Sequence, residues 1–135
     1  MTPAALLALD LDHFKRINDT FGHHMGDKVL KAIADVCTGT LRPGDLFGRL
    51  GGEEFAILLP STAFFEAARC AERLRTKIEQ LVMPSGSVTA SFGLAMIDEH
   101  SDFEGWLAAA DDALYQAKSG GRNRWVGKQI NLRAA

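Results

Sequence analysis

Two glycines, two glutamates and a phenylalanine, Gly51-Gly52-Glu53-Glu54-Phe55, separate two strand-like segments of this chain. Residues 45–50 precede the glycines, and the apolar run of residues 55–59 follows them. Because glycine readily adopts the backbone conformations of a tight turn, the pattern predicts a β-hairpin with the glycines at its tip. Acidic residues beside an apolar strand are unfavourable unless they are paired or liganded. The tip is therefore either a metal-binding element or a solvated turn.

The residues before the hairpin predict one strand and two helices. The apolar run of residues 4–11 predicts a buried strand, because it is too short for a helix. Residues 13–22 predict a short helix, and Gly22 and Gly26 predict a turn before a second helix that begins at Asp27.

The residues after the hairpin alternate helical and strand patterns. Ser61 or Thr62 is expected to cap a long helix that ends before Pro84. Residues 87–97 predict a strand with a bulge at Gly93, and residues 101–104 have the form of a capping box that opens another helix. Residues 124–126 predict a last edge strand. The predicted fold class is α/β (an α+β sandwich), with a central, mostly antiparallel sheet flanked by helices in the order βααββαβαβ.

Length and composition indicate an ordinary globular chain. The 135 residues fit a single domain over residues 1–135, and 47% of them are hydrophobic and 24% charged. A net charge of −2 argues against a general polyanion binder, so we expect no nucleic-acid partner and only a local phosphate site. Without a membrane-length apolar run, we expect no membrane contact by this chain and a cytoplasmic location. Cys37 and Cys70 lack the CxxC spacing of zinc or redox sites, and predict buried, reduced thiols.

A second acidic pattern, Asp10-Leu11-Asp12, ends the first predicted strand. Side chains alternate along a strand, so both carboxylates point to the same side at the edge of the sheet. If the hairpin packs beside this strand, Asp10 and Glu53 can bind the same divalent cation. Phosphoryl transfer needs such an ion to neutralise the negative charge of a nucleotide. From the residues alone, metal binding and a solvated hairpin tip both stay open, as does the identity of the nucleotide.

Three separated blocks of the chain resemble, in order and spacing, the motifs of GGDEF-domain diguanylate cyclases. The hairpin tip resembles the defining motif of that family, in the active variant with Glu at the third position. Residues 111–118 and 121–123 resemble the C-terminal block of the family. The first block is matched by Asp10-Leu11-Asp12-His13-Phe14-Lys15-Arg16-Ile17-Asn18-Asp19, by Phe21-Gly22-His23 and by Gly26-Asp27.

The resemblance covers nearly the whole chain and implies a fold like that of nucleotidyl cyclases and polymerase palm domains. It implies an enzyme that converts two GTP molecules into cyclic di-GMP and two pyrophosphates, with one GTP bound by each protomer of a homodimer. Asp10 and Glu53 would bind Mg²⁺ or Mn²⁺ ions, with the Leu11 carbonyl as a further ligand. Asn18 and Asp27 would bind guanine, whose N1 and N2 donors suit a carboxylate.

The resemblance also implies which residues bind the triphosphate and assist the chemistry. Lys15, Lys118 and Arg122 would bind the phosphates, for which a guanidinium group is well shaped. A solvated side chain is the alternative for each of them. Glu54 would deprotonate or orient the 3′-hydroxyl that attacks the α-phosphate of the other GTP, which makes it a catalytic residue beside the two metal-binding carboxylates.

A pattern that predicts a product site lies five residues before the hairpin glycines. Arg42-Pro43-Gly44-Asp45 matches the Arg-x-x-Asp pattern that many family members use to bind cyclic di-GMP as an inhibitor. Arginine can bind a phosphate or the edge of guanine, and aspartate accepts hydrogen bonds from guanine. Arg69 and Arg73 occupy positions at which the family supplies further guanidinium groups. A salt bridge within a turn and a solvated helix face form the alternative interpretation.

The chain departs from the family pattern at its N-terminus. Family domains usually begin with a helix and an Asp-x-Leu-Thr-Gly-Leu-x-Asn-Arg segment, whereas this chain begins at the first strand, so folding or the productive dimer is expected to be weaker. An upstream sensor or regulatory domain is expected outside this chain. Two alternatives to an active cyclase stay open: a catalytically idle module that senses cyclic di-GMP, and a module that binds GTP and regulates a partner domain.

Overall fold

A computed structural model describes residues 2–98 and 101–127 of the protein. Residues 128–135 of the predicted domain lie outside this part. The predicted order βααββαβαβ is confirmed. The elements are β1 (Ala5–Leu11), α1 (Phe14–Phe21), α2 (His23–Thr40), β2 (Leu46–Gly51), β3 (Glu54–Leu59), α3 (Phe64–Glu79), β4 (Ala90–Met96), α4 (Phe103–Ser119) and β5 (Trp125–Gly127).

The strands form one sheet in the order β2-β3-β1-β4-β5. The central strand β1 is antiparallel to both β3 and β4, and β2 is antiparallel to β3. Among the strand pairings of the described residues, that of β5 with β4 alone is parallel. The predicted fold class, a mostly antiparallel sheet flanked by helices, is confirmed.

Helices cover both faces of the sheet, and all seven residues of β1 are buried. On one face, Leu7 and Leu9 belong to a core that includes residues of α2 and α3. On the other face, Leu6 and Ala8 pack against Ala110 and Leu114 of α4, as the two-residue alternation of a strand requires. The continuous burial of β1 explains why every residue of this strand except Asp10 is apolar.

The prediction of a bulge at Gly93 is wrong. The pairing of β4 with β1 continues in register through Gly93, which lies opposite Ala8. The glycine is needed for close packing instead, because a Cβ atom there would lie 2.0 Å from the carbonyl oxygen of Ala110 and 2.3 Å from the amide nitrogen of Leu114. Helix α4 thus packs directly on the backbone of β4.

Two predicted helix starts are wrong. Helix α2 begins at His23, so Asp27 lies inside it and does not open it. Neither Ser61 nor Thr62 caps α3, whose N-cap position is Ala63. The Thr62 hydroxyl donates to the Pro60 carbonyl at 2.8 Å and accepts from Arg42 at 2.7 Å, so it is not available to the helix amides.

Helix α4 also begins differently from the prediction. Its N-cap residue is Asp102, which accepts a hydrogen bond from the Gly105 amide at 2.9 Å, rather than Ser101. Cys37 is buried and Cys70 only half-buried, and both thiols are free. None of the helices within the described ranges is long and apolar enough to cross a membrane.

Candidate active site

The α4-facing side of β1 changes from apolar to acidic at the end of the strand. Leu6 and Ala8 contact α4, and the next two positions on that side are Asp10 and Asp12, both buried. Lys118, in the last turn of α4, reaches the same end of the sheet. The packing of one helix on the sheet therefore places a cation against Asp10, the first of the two buried carboxylates.

Asp10 is the central residue of this cluster and is only 8% exposed. Its Oδ2 forms an ion pair with the Lys118 ammonium group. Its Oδ1 is buried and has no hydrogen-bond partner among the described residues. Burial raises the pKa of Asp10, Lys118 opposes this effect, and the nearby carboxylates of Glu53 and Asp12 raise the pKa further.

The hairpin tip brings two more carboxylates to Asp10. Glu54 is the residue opposite Asp10 in the β1–β3 pairing, and Glu53 precedes it in the turn. Gly52 has a φ of 51°, a left-handed conformation that favours glycine. The Arg49 guanidinium donates to the Gly52 carbonyl, at 2.8 Å from its Nε, and so ties the turn to β2.

The Glu54 side chain lies beside another acidic side chain, that of Asp111 on α4. Burial, followed by a hydrogen bond and electrostatic repulsion from Asp111, raises the pKa of Glu54 to about 7. The Asp111 Oδ1 is buried without a partner among the residues that the structure describes. Helix α4 therefore contributes both a cation and a carboxylate to this end of the sheet.

The residues at Asp10 fit a hard divalent cation. Asp10 offers a buried, unpartnered carboxylate oxygen, and the Glu53 carboxylate lies close enough to perturb the Asp10 pKa. Leu11 lies one residue beyond the last β1–β3 pair. Residues 2–98 and 101–127 contain no group of three or more acidic, His or Cys side chains that could hold a metal ion. Two carboxylates still suit Mg²⁺, which is commonly bound by one or two protein carboxylates together with phosphates and water.

The predicted guanine-binding residues lie on α1 and α2. Asn18 is half-buried, and its Oδ1 is buried without a partner in the described part of the chain. Gly26 is buried directly against it, because a Cβ atom at Gly26 would lie 1.9 Å from that oxygen. Asp27, the next residue, is exposed. The start of α2 therefore places Gly26 against Asn18 of α1, with the exposed Asp27 as the next residue.

The three predicted phosphate-binding cations differ in their surroundings. Lys15 is exposed on α1, and Arg122 is exposed in the turn after α4. Lys118 is engaged by Asp10. A triphosphate bound here would therefore compete with Asp10 for the Lys118 ammonium group.

The residues of the predicted product site line one cavity of about 240 Å³ on the other side of the sheet. Arg42 donates to Asp45 and to Thr62, and the Asp45 side chain is only 4% exposed. Arg69 and Arg73, one turn apart on α3, line the same cavity. Three guanidinium groups around a small cavity form a cluster suited to phosphate groups.

A model of the family described as diguanylate cyclase, GGDEF domain, matches residues 1–124. The chain belongs to this family. The predicted resemblance to GGDEF-domain diguanylate cyclases is thereby confirmed. The fold has the palm-like arrangement of GGDEF domains.

The relatives of this GGDEF domain include characterised and uncharacterised proteins. It is 46% identical over 126 residues to the uncharacterized protein YhcK of Bacillus subtilis, covering 89% of this chain and 35% of YhcK. It is 39% identical over 128 residues to the diguanylate cyclase DosC of Escherichia coli, covering 91% of this chain and 28% of DosC. The chain thus spans about a third of the length of these curated relatives.

A solved structure extends the comparison to three dimensions. The crystal structure of the GGDEF domain of DgcB from Caulobacter crescentus, in complex with c-di-GMP, matches with a TM-score of 0.90 and 35% sequence identity. The match covers 93% of this chain and 78% of the DgcB chain.

Sequence reasoning missed four polar residues around these sites. Asp111 forms a hydrogen bond with Glu54, and Arg49 donates to the Gly52 carbonyl at the hairpin tip. Thr62 accepts a hydrogen bond from Arg42, and the Asn123 amide donates to Asp12. Asp111 and Asn123 belong to the C-terminal block that resembles the family, so a signal for both was present. Arg49 and Thr62 carried no local signal, because their partners come close only through turn geometry and tertiary packing.

Proposed function

We propose that this GGDEF domain is a diguanylate cyclase, which condenses two GTP molecules into cyclic di-GMP and releases two pyrophosphates. The observation that carries the proposal is the meeting of Asp10, Glu53 and Lys118 at one end of the sheet, where Asp10 has a buried oxygen without a partner among the described residues. A buried carboxylate with unused acceptor capacity suits a cation. Family membership supplies the reaction class.

Asp10 and Glu53, together with the Leu11 carbonyl, would hold Mg²⁺ or Mn²⁺. The ion would neutralise charge on the triphosphate and on the leaving pyrophosphate. Lys118 balances the charge of Asp10 in this structure. With metal and nucleotide bound, Lys118 would be available to the phosphates, where Lys15 and Arg122 would join it.

Asn18 and Asp27 would bind the guanine base. The Asn18 side-chain amide can donate to the acceptors of the base. The exposed Asp27 carboxylate can accept from the N1 and N2 donors of guanine, which adenine does not present in the same pattern. This combination would select GTP over ATP.

Glu54 would act on the attacking hydroxyl, because it lies opposite Asp10 and beside Glu53. The 3′-oxygen of one GTP forms a bond to the α-phosphorus of the other, and the bond from that phosphorus to pyrophosphate breaks. Pyrophosphate leaves with the bonding electrons, and the hydroxyl proton passes to the Glu54 carboxylate. Two such steps close the ring.

Both steps are chemically identical, and each site is expected to bind one GTP. Two copies of the domain facing each other across a two-fold axis would therefore place each 3′-hydroxyl at the α-phosphate of the opposite nucleotide. We infer that catalysis takes place in a homodimer, and that a single protomer binds substrate without closing the ring.

Arg42, Asp45, Arg69 and Arg73 would form an inhibitory site for the product. The cavity of about 240 Å³ is lined by three arginines, and the similar GGDEF domain of DgcB forms a complex with c-di-GMP. Arg42 and Asp45 form an ion pair in the lining of this cavity, and Arg42 also donates a hydrogen bond to Thr62.

Incubation of the protein with GTP and Mg²⁺, followed by chromatographic separation of the nucleotides, tests the proposal. We expect cyclic di-GMP and pyrophosphate, with a specific rate that rises with protein concentration because a dimer is needed. Absence of cyclic di-GMP at high protein concentration would contradict the proposal. Tight binding of added cyclic di-GMP in that case would favour the idle sensor module instead. Cytoplasmic location and an upstream sensor domain stay predictions.

A further inference from the structure

Asp12 is a buried carboxylate that the proposed chemistry does not use. It is only 4% exposed, and both of its oxygens are engaged. Oδ1 accepts from the Ser91 hydroxyl at 2.7 Å. Oδ2 accepts from the Thr89 hydroxyl at 2.7 Å and from the backbone amide of Asn123 at 3.0 Å. With three donors and no free oxygen, Asp12 is satisfied by the protein and is a poor metal ligand, in contrast to Asp10.

One of these three bonds reaches the turn that carries Arg122. The Arg122 amide donates to the Ala117 carbonyl at 3.0 Å, and the next amide, that of Asn123, donates to Asp12. Arg122 and Asn123 have φ values of 65° and 48°, so two consecutive residues with side chains adopt the left-handed conformation. Such a backbone costs energy and persists only where its surroundings enforce it. The buried carboxylate of Asp12 is part of that enforcement.

The Asn123 side chain supplies a second attachment. Its Oδ1 accepts from Arg75 at 3.0 Å, and its Nδ2 donates to Glu79, both on α3. The turn is therefore held between the ends of β1 and β4 on one side and α3 on the other. The Arg122 side chain itself is exposed and forms no hydrogen bond or ion pair with other described residues. Hydrogen bonds hold the backbone of the Arg122 turn, while the Arg122 guanidinium is exposed and available for a ligand.

We propose that Asp12 is a positioning residue for the triphosphate of GTP, which acts by holding the Arg122 turn in its left-handed conformation. The inference rests on the proposed function, because it assigns Asp12 a role in that same site. Asp10 and Asp12, two residues apart at the end of β1, thus have different roles: Asp10 would bind the metal, and Asp12 holds the backbone that presents a phosphate-binding arginine.

Binding of 3′-deoxy-GTP with Mg²⁺, measured by calorimetry, tests this role without turnover, because the analogue lacks the attacking hydroxyl. We expect Asp12→Ala and Arg122→Ala each to weaken binding about tenfold, as for loss of a charge-assisted contact. The double variant should be no weaker than either single variant, because Asp12 acts through Arg122. Affinity for GMP, which lacks the β- and γ-phosphates, should be unchanged by Asp12→Ala.

Asp102→Ala is the matched control, since it removes a carboxylate that accepts from a backbone amide at the opposite end of α4. It should lower thermal stability without changing nucleotide affinity. If Asp12→Ala does not fold, Asp12→Asn has nearly the same shape but no charge, and should weaken 3′-deoxy-GTP binding roughly threefold, again only when Arg122 is present. Additive losses in the double variant, or equal losses for GMP, would overturn the inference. Failure of the unaltered protein to bind 3′-deoxy-GTP would overturn the proposed function itself.

Discussion

Lys118 in the last turn of α4 forms an ion pair with Asp10 at the end of β1, across 108 residues of sequence. The Asp10 side chain is mostly buried, and that of Lys118 is 35% exposed. The ammonium group occupies one side of the carboxylate to which a divalent cation would bind. Under the proposed function, Lys118 and the metal would therefore compete for Asp10 until a bound triphosphate offered Lys118 another partner.

This competition predicts opposite effects of one substitution on metal binding and on turnover. Lys118→Met should raise the affinity for Mn²⁺ in the absence of nucleotide by roughly two- to fivefold, the range expected for a partly exposed ion pair. Cyclic di-GMP formation should fall, because a phosphate contact is lost. Electron paramagnetic resonance measures free Mn²⁺ in the first assay. Lys31→Met, which removes an exposed lysine paired with Asp35, is the control and should change neither quantity. Weaker Mn²⁺ binding by Lys118→Met would contradict the competition.

Glu53→Ala should abolish metal-dependent turnover, by at least about a hundredfold, because it removes one of two protein carboxylates at the proposed metal site. The rate of cyclic di-GMP formation as a function of Mg²⁺ concentration measures the effect, and chelation with EDTA should inactivate the unaltered protein in the same way. Glu104→Ala, at an exposed position of α4, is the control for loss of a surface carboxylate. Retention of normal Mg²⁺-dependent turnover by Glu53→Ala would remove Glu53 from the site.

Arg42→Ala should raise the concentration of cyclic di-GMP that gives half-inhibition by about tenfold or more, because a guanidinium contact to the product is lost. Initial rates at increasing concentrations of added product measure this change. Arg42→Lys keeps the positive charge without the planar fork, so it should restore only part of the inhibition. An unchanged inhibition curve for Arg42→Ala would show that the cavity is not the inhibitory site.

The thiols should react in two phases, because Cys37 is fully buried and Cys70 only half-buried. Burial also raises the pKa of Cys37 to about 12 and raises the pKa of Cys70. Both groups are mostly protonated thiols near neutral pH, but Cys70 lines the arginine cavity and is reachable. We expect slow labelling of Cys70 and labelling of Cys37 only on unfolding. Cyclic di-GMP should protect Cys70, and Cys70→Ser should remove the first phase. Labelling of Cys37 in the native protein at the rate of Cys70 would contradict this assignment.

Gly93→Ala should destabilise the fold by about 3 kcal/mol or more, because the added methyl group would overlap the backbone of α4. Denaturant unfolding, followed by circular dichroism, measures the free energy of unfolding. Gly39→Ala is the matched control: Gly39 lies in α2, and a methyl group added there would meet nothing within 4 Å, so the change should stabilise slightly, by roughly 0.5 kcal/mol. Equal effects of the two substitutions would show that close packing of α4 on β4 is not needed.

The order of strands and helices could be predicted from the sequence because it depends on local patterns. The apolar run of β1, the helical spacing in α3 and α4 and the glycines of the hairpin each indicate one element without knowledge of its neighbours. Helix starts were predicted less well. A serine or threonine before a helix can bind elsewhere, as Thr62 does with Arg42, and the backbone then begins the helix at another residue.

Which types of residue lie at the site follows from the sequence alone. Which partner each of them binds depends on the tertiary structure. The Asp-x-Asp pattern places Asp10 and Asp12 on the same side of the sheet. Only the packing of α4 brings Lys118 to Asp10, and only the turn after α4 brings the Asn123 amide to Asp12. In the same way, β-sheet pairing and helix packing decide that Gly93 serves close contact and not a bulge. Local spacing specifies the direction of a side chain, while its partners come from segments far apart in the chain, which only the folded structure brings together.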